Sequence, residues 1–496
     1  MKNITILFAG NLTPHGLEPL AGGSSAFLRA VKIAGSLPEV RKVLVFGGED
    51  VPSGDDWEVL RRPGWSRKTL IEDMDASSED YDHIFYFFAD CPLIDPRLAA
   101  GMFHDHIEYF ADYTFADGYP YGLTPEILKK SILKPLLRLA EKADEPVGRD
   151  ALFQVLQKDI NAFDIETKIA PVDLRLLRVS LACDTRRNSL LVRRVMEAGG
   201  LDETTIVSIL QEKPGILRTL PAFVSVQVTD GYPQEVSYLP PGYYSVEKNA
   251  KGKEMSPEHF FRIVKKVADF AEDAVVSLSF RGDPFLHSSL HRLIEGALGF
   301  PKLQVLLETP GTACREEDLT SLIHLGGDRV TWIVELDARD EQLYRRLRGE
   351  GYHKACRTAE YLLSASPGTT YVQAVRMKEN EEDLEQFYRF WKEKTEHVII
   401  KKYNFFHGQL PQVKVTDLSP LKRFPCWHMK RDLSVLVDGR VPLCSDDLAP
   451  EYVLGSLFDD SLEDIWQNGF KEYAAHLAGD YRSMCVECDE YYTFNF

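Results

Sequence analysis

The stretch "AFVSVQVTDGYPQEVSYLPPG", residues 222–242, decides the fold of the second half of this chain. Its first seven residues form a β-rich apolar run, and a loop of turn formers then leads toward a helical segment. Five further apolar runs of strand length follow: "AVVSLSF", "KLQVLLET", "RVTWIVELD", "TYVQAVRM" and "HVIIKKYN". Amphipathic stretches such as "SPEHFFRIVKKVADFA" and "NEEDLEQFYRFWKEKT" separate them. Such alternation builds parallel sheets, and six right-handed β/α units roll into a partial barrel with its chemistry at the carboxyl ends of the strands. The loop over residues 229–242 sits at the first of those ends, and it contains no cysteine.

Working outward, the first 200 or so residues also alternate, from "NITILFAG" and "SSAFLRAVKIAGSL" to "DHIFYFFAD" and its following helix. An α/β class results, with a doubly wound, mostly parallel sheet expected over residues 1–205. The helix "RRNSLLVRRVMEAGG" closes that domain, its paired glycines supplying a left-handed cap. A Pro-Gly break in "EKPGILRTLP" separates it from the barrel, residues 216–411, and beyond residue 412 short polar-flanked runs form a third, thin-cored domain. A chain of 496 residues accommodates three such domains. The formal charge of −18 is spread along the chain and argues against a nucleic-acid backbone as partner. With no run of 18 apolar residues and no secretory leader pattern, a cytoplasmic protein without membrane association is expected.

Cys91, Cys183, Cys314 and Cys356 are scattered singly and read as small buried hydrophobes. Cys426, Cys444, Cys485 and Cys488 are different. In "CWHMKRDLSVLVDGRVPLC" the Asp438-Gly439 pair signals a hairpin that would bring Cys426 near Cys444, while "CVEC" places Cys485 and Cys488 on one turn. Four soft ligands suit a structural zinc ion or an iron-sulfur cluster, or they remain free thiols, and metal binding would stabilise a thin core.

Two carboxylates stand out in the first domain. "FFADCPLIDPRL" sets Asp90 at the end of an apolar strand, where it either holds a divalent cation beside phosphates or caps a helix, and Asp184 in "ACDTRRNS" offers a second carboxylate. His15 and the Gly22-Gly23 backbone in "FAGNLTPHGLEPLAGG" are the groups there that could meet an anion.

The spacing Cys426, Gly439, Cys444, the stretch "LGSLFDDSLEDIW" and the late "CVEC" resemble the SPASM domain that follows the barrel in peptide-modifying radical SAM enzymes. That resemblance implies one 4Fe-4S cluster on Cys426, Cys444, Cys485 and Cys488, since the cysteines of a second SPASM cluster are missing. The barrel in turn resembles a radical SAM barrel. Thr229, Tyr238 and Pro240 keep the frame of its cluster loop, and Ser256 ahead of Pro257 keeps its helix entry. Tyr232, Val236 and Leu239 stand where the family has its three cysteines. Arg281, Gly282, Asp283 and Pro284 resemble its Gly-Gly-Glu-Pro stretch, as a remnant of an S-adenosylmethionine pocket or as a surface pair on a turn. The first domain resembles cytidylyltransferases that activate sugar acids, of the nucleotide-diphospho-sugar transferase type, which implies magnesium and nucleotide at Asp90 and Asp184. It lacks the Arg and Lys of that family's phosphate loop. The three parts in this order resemble the spiro-SPASM family of spirochaetes.

Three functions follow from these resemblances. The first is an iron-sulfur protein whose barrel has lost its catalytic cluster, uses no S-adenosylmethionine chemistry and serves as a platform for a peptide or protein substrate. The second is CTP-dependent activation of a sugar or sugar acid, with a nucleotide or nucleotide-sugar as ligand. The third is a metal-free partner-recognition scaffold.

Overall fold

A computed structural model describes residues 1–140, 145–244 and 252–493. Two compact units form, Met1–Thr219 and Leu220–Phe496. Among the described residues no helix is long and apolar enough to cross a membrane.

The first unit is built on seven strands: β1 (Asn3–Ala9), β2 (Val40–Gly47), β3 (Glu58–Arg61), β4 (His83–Phe88), β5 (Tyr113–Asp117), β6 (Glu126–Lys129) and β7 (Ile165–Ile169). Their order is β3-β2-β1-β4-β6-β5-β7. β1 and β4 are buried at every residue, as strands covered on both faces must be. They pair in parallel from Asn3 with His83 to Phe8 with Phe88, and only β6 runs against its neighbours. The strand order reverses between β1 and β4, so the crevice beyond their carboxyl ends is where a doubly wound sheet receives ligand. The unit runs past residue 205, because Ile206, Leu210 and Leu217 are buried in its core. The helix Arg186–Glu197 ends as expected, with Gly199 at φ +94°.

All six expected barrel strands form: β8 (Phe223–Val226), β9 (Ala274–Ser277), β10 (Leu303–Thr309), β11 (Val330–Glu335), β12 (Thr370–Arg376) and β13 (Val398–Lys402). Each is parallel to the next. Phe223, Val275, Leu306, Ile333, Tyr371 and Ile399, one from each strand, meet in a single apolar cluster. A flat sheet could not bring its first and sixth strands together in this way, so the sheet is curled. The helix Pro257–Ala271 packs on its outside, capped by the Ser256 side chain and burying Phe260, Ile263, Val264, Val267 and Ala271 at helical spacing.

The C-terminal segment departs from the expected hairpin. The turn at Asp438-Gly439 forms, with Gly439 at φ +85°, but the two strands it joins go separate ways. β14 (Asp432–Val435) adds to the barrel sheet, parallel to β8, and β15 (Arg440–Pro442) pairs instead with β16 (Val453–Ser456). Nor is the core thin. Leu433, Val435, Val441, Leu457, Ile465 and Trp466 belong to the hydrophobic core of the barrel. Burial of these side chains outweighed the local turn signal.

Candidate functional site

Side chains along a strand alternate, so the residues two beyond the apolar plug face the same interior. Those residues are Ser225, Ser277, Glu308, Glu335, Gln373 and Lys401, a polar layer at the carboxyl end of the barrel. Burial pushes the Glu308 carboxyl up from its usual range. Burial also opposes the Lys401 charge, but Glu308, Tyr243 and Glu335 outweigh it and hold the ammonium above the usual lysine range. Above this layer Tyr232 stacks on Tyr244 at 3.9 Å between ring centroids, and Tyr243 meets Tyr244 edge-on at 4.8 Å.

The loop over residues 229–242 lies across this mouth, fastened by a residue that sequence reading missed. Arg348 is 1% exposed, at the end of the helix Glu341–Arg348. All five of its N–H donors have acceptors. Nε donates to Gln234 Oε1 (3.2 Å), Nη1 to the Tyr238 hydroxyl (2.8 Å) and to Asp337 Oδ2, and Nη2 to the Tyr232 hydroxyl (2.6 Å) and to Glu335 Oε2 (2.9 Å). The tyrosine hydroxyls pass the pattern on, Tyr232 donating to Glu335 (2.7 Å) and Tyr238 to Asp337. A guanidinium has five N–H donors in a fixed fork, so the arrangement saturates it. Burial works against ionised Glu335, yet the Arg348 charge and the Tyr232 hydroxyl more than compensate and keep its carboxyl below the usual range. Tyr232 thus stands at the first of the three positions compared with cysteines, bonded to an arginine and a carboxylate. Val236 and Leu239 share a backbone bond, Leu239 N–H to Val236 C=O at 3.3 Å.

Two residues here carry left-handed backbones that side chains other than glycine rarely adopt: Arg281 at φ +48° and Asp337 at φ +65°. Arg281 and Asp283 are not a surface pair. Arg281 is 3% exposed, and its Nη2 donates to the carbonyls of Ser445 and Asp447, beside Cys444. Gly282 packs so closely that a Cβ would lie 1.9 Å from the carbonyl oxygen of Thr229. Pro284 opens a short turn whose Phe285 N–H donates to Asp283 Oδ1 (3.1 Å).

Asp283 is fully buried, its Oδ2 has no hydrogen-bond partner, and burial pushes its carboxyl up to about 7. The folded chain therefore holds this proton over a range in which the unfolded chain, near the ordinary value of 3.8, has released it. Stability contributed here falls as pH rises through that window, each tenfold difference in proton affinity between the two states being worth ~1.4 kcal/mol. Asp283→Asn cannot titrate, so its stability relative to the parent is expected to rise from pH 4 to pH 7 and level off above, as read by urea unfolding. A difference that stays constant with pH would contradict the assignment.

The C-terminal cysteines lie close enough for charge on one to act on another, Cys485 on Cys426, Cys426 and Cys488 on Cys444, and Cys426 on Cys488. Cys426, 8% exposed, is the N-cap of the short helix Trp427–Arg431, Cys444 follows β15, Cys485 lies within the helix Ser483–Val486 and Cys488 two residues beyond it. Backbone N–H groups of Asp446 and Glu490 donate to the sulfurs of Cys444 and Cys488, each at 3.4 Å. Burial pushes the Cys426 thiol up to about 12 and raises the others, and charge on Cys426 or Cys488 would add to the rise at Cys444. Cys426 and Cys485 buried, Cys444 and Cys488 half-buried with an N–H donor aimed at each sulfur, suit a cation that deprotonates them. Elsewhere among the described residues, His104, Asp105 and Glu108 bring a ligand atom each within 4.8 Å of one another on the surface. Cys91, Cys183 and Cys314 are buried as expected, while Cys356 is only half-buried.

In the first unit Asp90 follows β4 and is 3% exposed. Helix capping falls to Asp95 instead, which accepts from Arg97 and Leu98 N–H. Asp90 and Asp184 come together, but around Arg149, whose two terminal nitrogens meet both oxygens of Asp90 at 2.7 and 2.6 Å and Asp184 Oδ2 at 3.0 Å. A magnesium ion between these carboxylates does not fit this arrangement. His15 faces an acid, Glu18, at 3.4 Å, and Gly22 and Gly23 both have positive φ.

A family model for the radical SAM superfamily matches residues 237–390, and one for the SPASM iron-sulfur cluster-binding domain matches residues 426–489. An uncharacterized protein of Treponema pallidum (strain Nichols) is 36% identical over 362 residues, spanning 70% of this chain and 98% of the relative. Among solved structures, Streptococcus suis SuiB bound to precursor peptide SuiA is 13% identical, covering 67% of this chain and 80% of that one at a TM-score of 0.42. A cytidylyltransferase from Leptospira borgpetersenii is 16% identical, covering 43% and 95% at a TM-score of 0.36.

Proposed function

This chain belongs to the family of its Treponema pallidum relative, its radical SAM and SPASM domains make it an iron-sulfur protein of the radical SAM family, and from that premise we propose that it holds a single cluster, at the SPASM end. Cys426, Cys444, Cys485 and Cys488 are the ligands, and the barrel carries none. The observation that carries this reading is Arg348: the guanidinium, Glu335 and the Tyr232 hydroxyl close on one another at the first ligand position. When bound, a 4Fe-4S cluster supplies one-electron transfer.

The barrel mouth then serves binding rather than radical generation. Stacked tyrosines, two glutamates and a lysine on a polar floor suit a peptide or similar substrate, with aromatic faces for apolar groups and charges to fix orientation. Arg281 ties that mouth to the carbonyls of Ser445 and Asp447, beside Cys444. A cytoplasmic location fits a reduced four-thiol centre.

Anaerobic purification followed by iron, sulfide and zinc analysis and a visible spectrum tests this reading. One 4Fe-4S cluster per chain is expected. Two clusters would place one in the barrel, stoichiometric zinc would replace the cluster, and colourless metal-free protein would leave the recognition scaffold. A second reading, CTP-dependent activation of a sugar or sugar acid, draws on Asp90 at the carboxyl end of β4, at the reversal of strand order. Absence of pyrophosphate release from CTP across a sugar panel removes it.

A further inference from the structure

We infer that the N-terminal unit carries its own counter-ion in place of a divalent metal: Arg149 is the resident cation of the Asp90 and Asp184 pair, and the pair takes neither Mg2+ nor Mn2+ while Arg149 is present. The argument rests on the four carboxylate oxygens. Asp90 Oδ1 and Oδ2 accept from Arg149 Nη1 and Nη2 at 2.7 and 2.6 Å. Asp184 Oδ2 accepts from Nη2 at 3.0 Å, and Asp184 Oδ1 accepts from Asn188 Nδ2 at 2.8 Å. No oxygen of the pair is left without a donor. Magnesium requires oxygen ligands at about 2.0–2.1 Å in near-octahedral array, so an ion could enter only by expelling the guanidinium.

Expulsion is opposed by the packing of Arg149 itself. Its guanidinium carbon lies 4.4 Å from the centre of the Phe88 ring and 5.3 Å from that of Tyr121, and Nη1 reaches the Tyr121 hydroxyl at 3.3 Å. A fork bonded to one carboxylate by both arms and packed on aromatic rings is more firmly placed than a solvated surface pair. The chain on either side is also fixed. Val147 C=O accepts from Asn11 Nδ2 at 3.0 Å, and the helix Ala151–Leu156 buries Ala151 and Leu152. The backbone C=O of Asp90 accepts from Cys183 N–H at 2.8 Å, which holds the two acidic loops at the separation Arg149 spans. Any ligand entering the crevice beyond β1 and β4 thus meets a guanidinium already bonded to two carboxylates, and not an exchangeable ion.

Titration with Mn2+, followed by loss of the free-ion electron paramagnetic resonance signal, tests this on the anaerobically purified full chain. Wild type and Asp184→Asn are expected to bind Mn2+ identically, with no site in this pair tighter than about 1 mM. Arg149→Ala is expected to gain one site at least about tenfold tighter, and Asp184→Asn in that background to abolish it. Saturable Mn2+ binding by wild type that Asp184→Asn removes would overturn the inference. So would an Arg149→Ala protein that folds and gains no site. Should Arg149→Ala fail to fold, the wild-type and Asp184→Asn titrations still decide whether the pair binds metal.

Discussion

Replacing Arg348 with methionine is expected to lower the stability of the second unit by about 3–5 kcal/mol, the usual cost of removing one partner from a buried ionic network. Methionine fills much of the volume but returns none of the five hydrogen bonds. Asp337, 1% exposed, and Glu335 would lose their cation together, and the Tyr232 and Tyr238 hydroxyls would lose a donor each. Glu335, held below its usual range with help from the Arg348 charge, takes up a proton more readily without it, so the deficit should be largest at pH 8 and shrink toward pH 5. Arg348→Lys keeps a charge with three donors and should fall between the two. Urea unfolding of both variants at the two pH values checks the expectation. Arg348→Met within 0.5 kcal/mol of the parent at pH 8 would show that the loop is not held by this network.

Cys444→Ser is expected to remove the visible absorption and the bound iron almost completely, while leaving the far-ultraviolet circular dichroism close to that of the parent. The first half follows from chemistry, since a serine hydroxyl is a hard, weakly acidic ligand where a soft thiolate is needed. The second follows from packing. Small metal domains unfold without metal when they own too little core. Here Leu457, Ile465 and Trp466 are buried in the barrel core, and Lys266 reaches across to the carbonyls of Leu457 and Asp460. Global unfolding of Cys444→Ser would mean that the cluster, not this shared core, holds the C-terminal segment in place. Retention of a full complement of iron would remove Cys444 from the ligand set.

The six barrel strands were legible as strand-length apolar runs, although β13 is only partly buried, whereas the short and more polar β3 and β7 of the first sheet gave no comparable signal. The C-terminal cysteines were legible because thiols are scarce and their spacing is local. The arginines were not. Arg348 is one of three arginines in "YRRLRG", and only helical spacing, four residues from Tyr344 and beside Leu347, separates it from Arg345 and Arg346, which lie on the surface; that spacing places it on the buried face without naming its partners. Its acceptors Tyr232 and Gln234 are more than 110 positions away. Arg149 is likewise 59 positions from Asp90. Carboxylates at strand ends advertise a cation site, but not whether the cation is an ion or a side chain. The hairpin misreading has the same origin: Asp438-Gly439 specifies a turn, and the partner strand is chosen by burial far away.

That choice bears on how the chain reaches its native state. β8 is the first strand of the barrel to leave the ribosome, yet one of its two neighbours, β14, is among the last, and Val437 N–H bonds to Gln227 at a separation of 210 residues. Until β14 arrives, β8 presents an open edge of unpaired N–H and C=O groups, the kind of surface that recruits other chains. Such late closure raises contact order and lengthens exposure of that edge during synthesis. The C-terminal segment is therefore not a cassette that can be cut away to study the barrel. A chain stopped before Asp432 should accumulate as aggregate, and the shortest soluble form of the second unit should extend through β14.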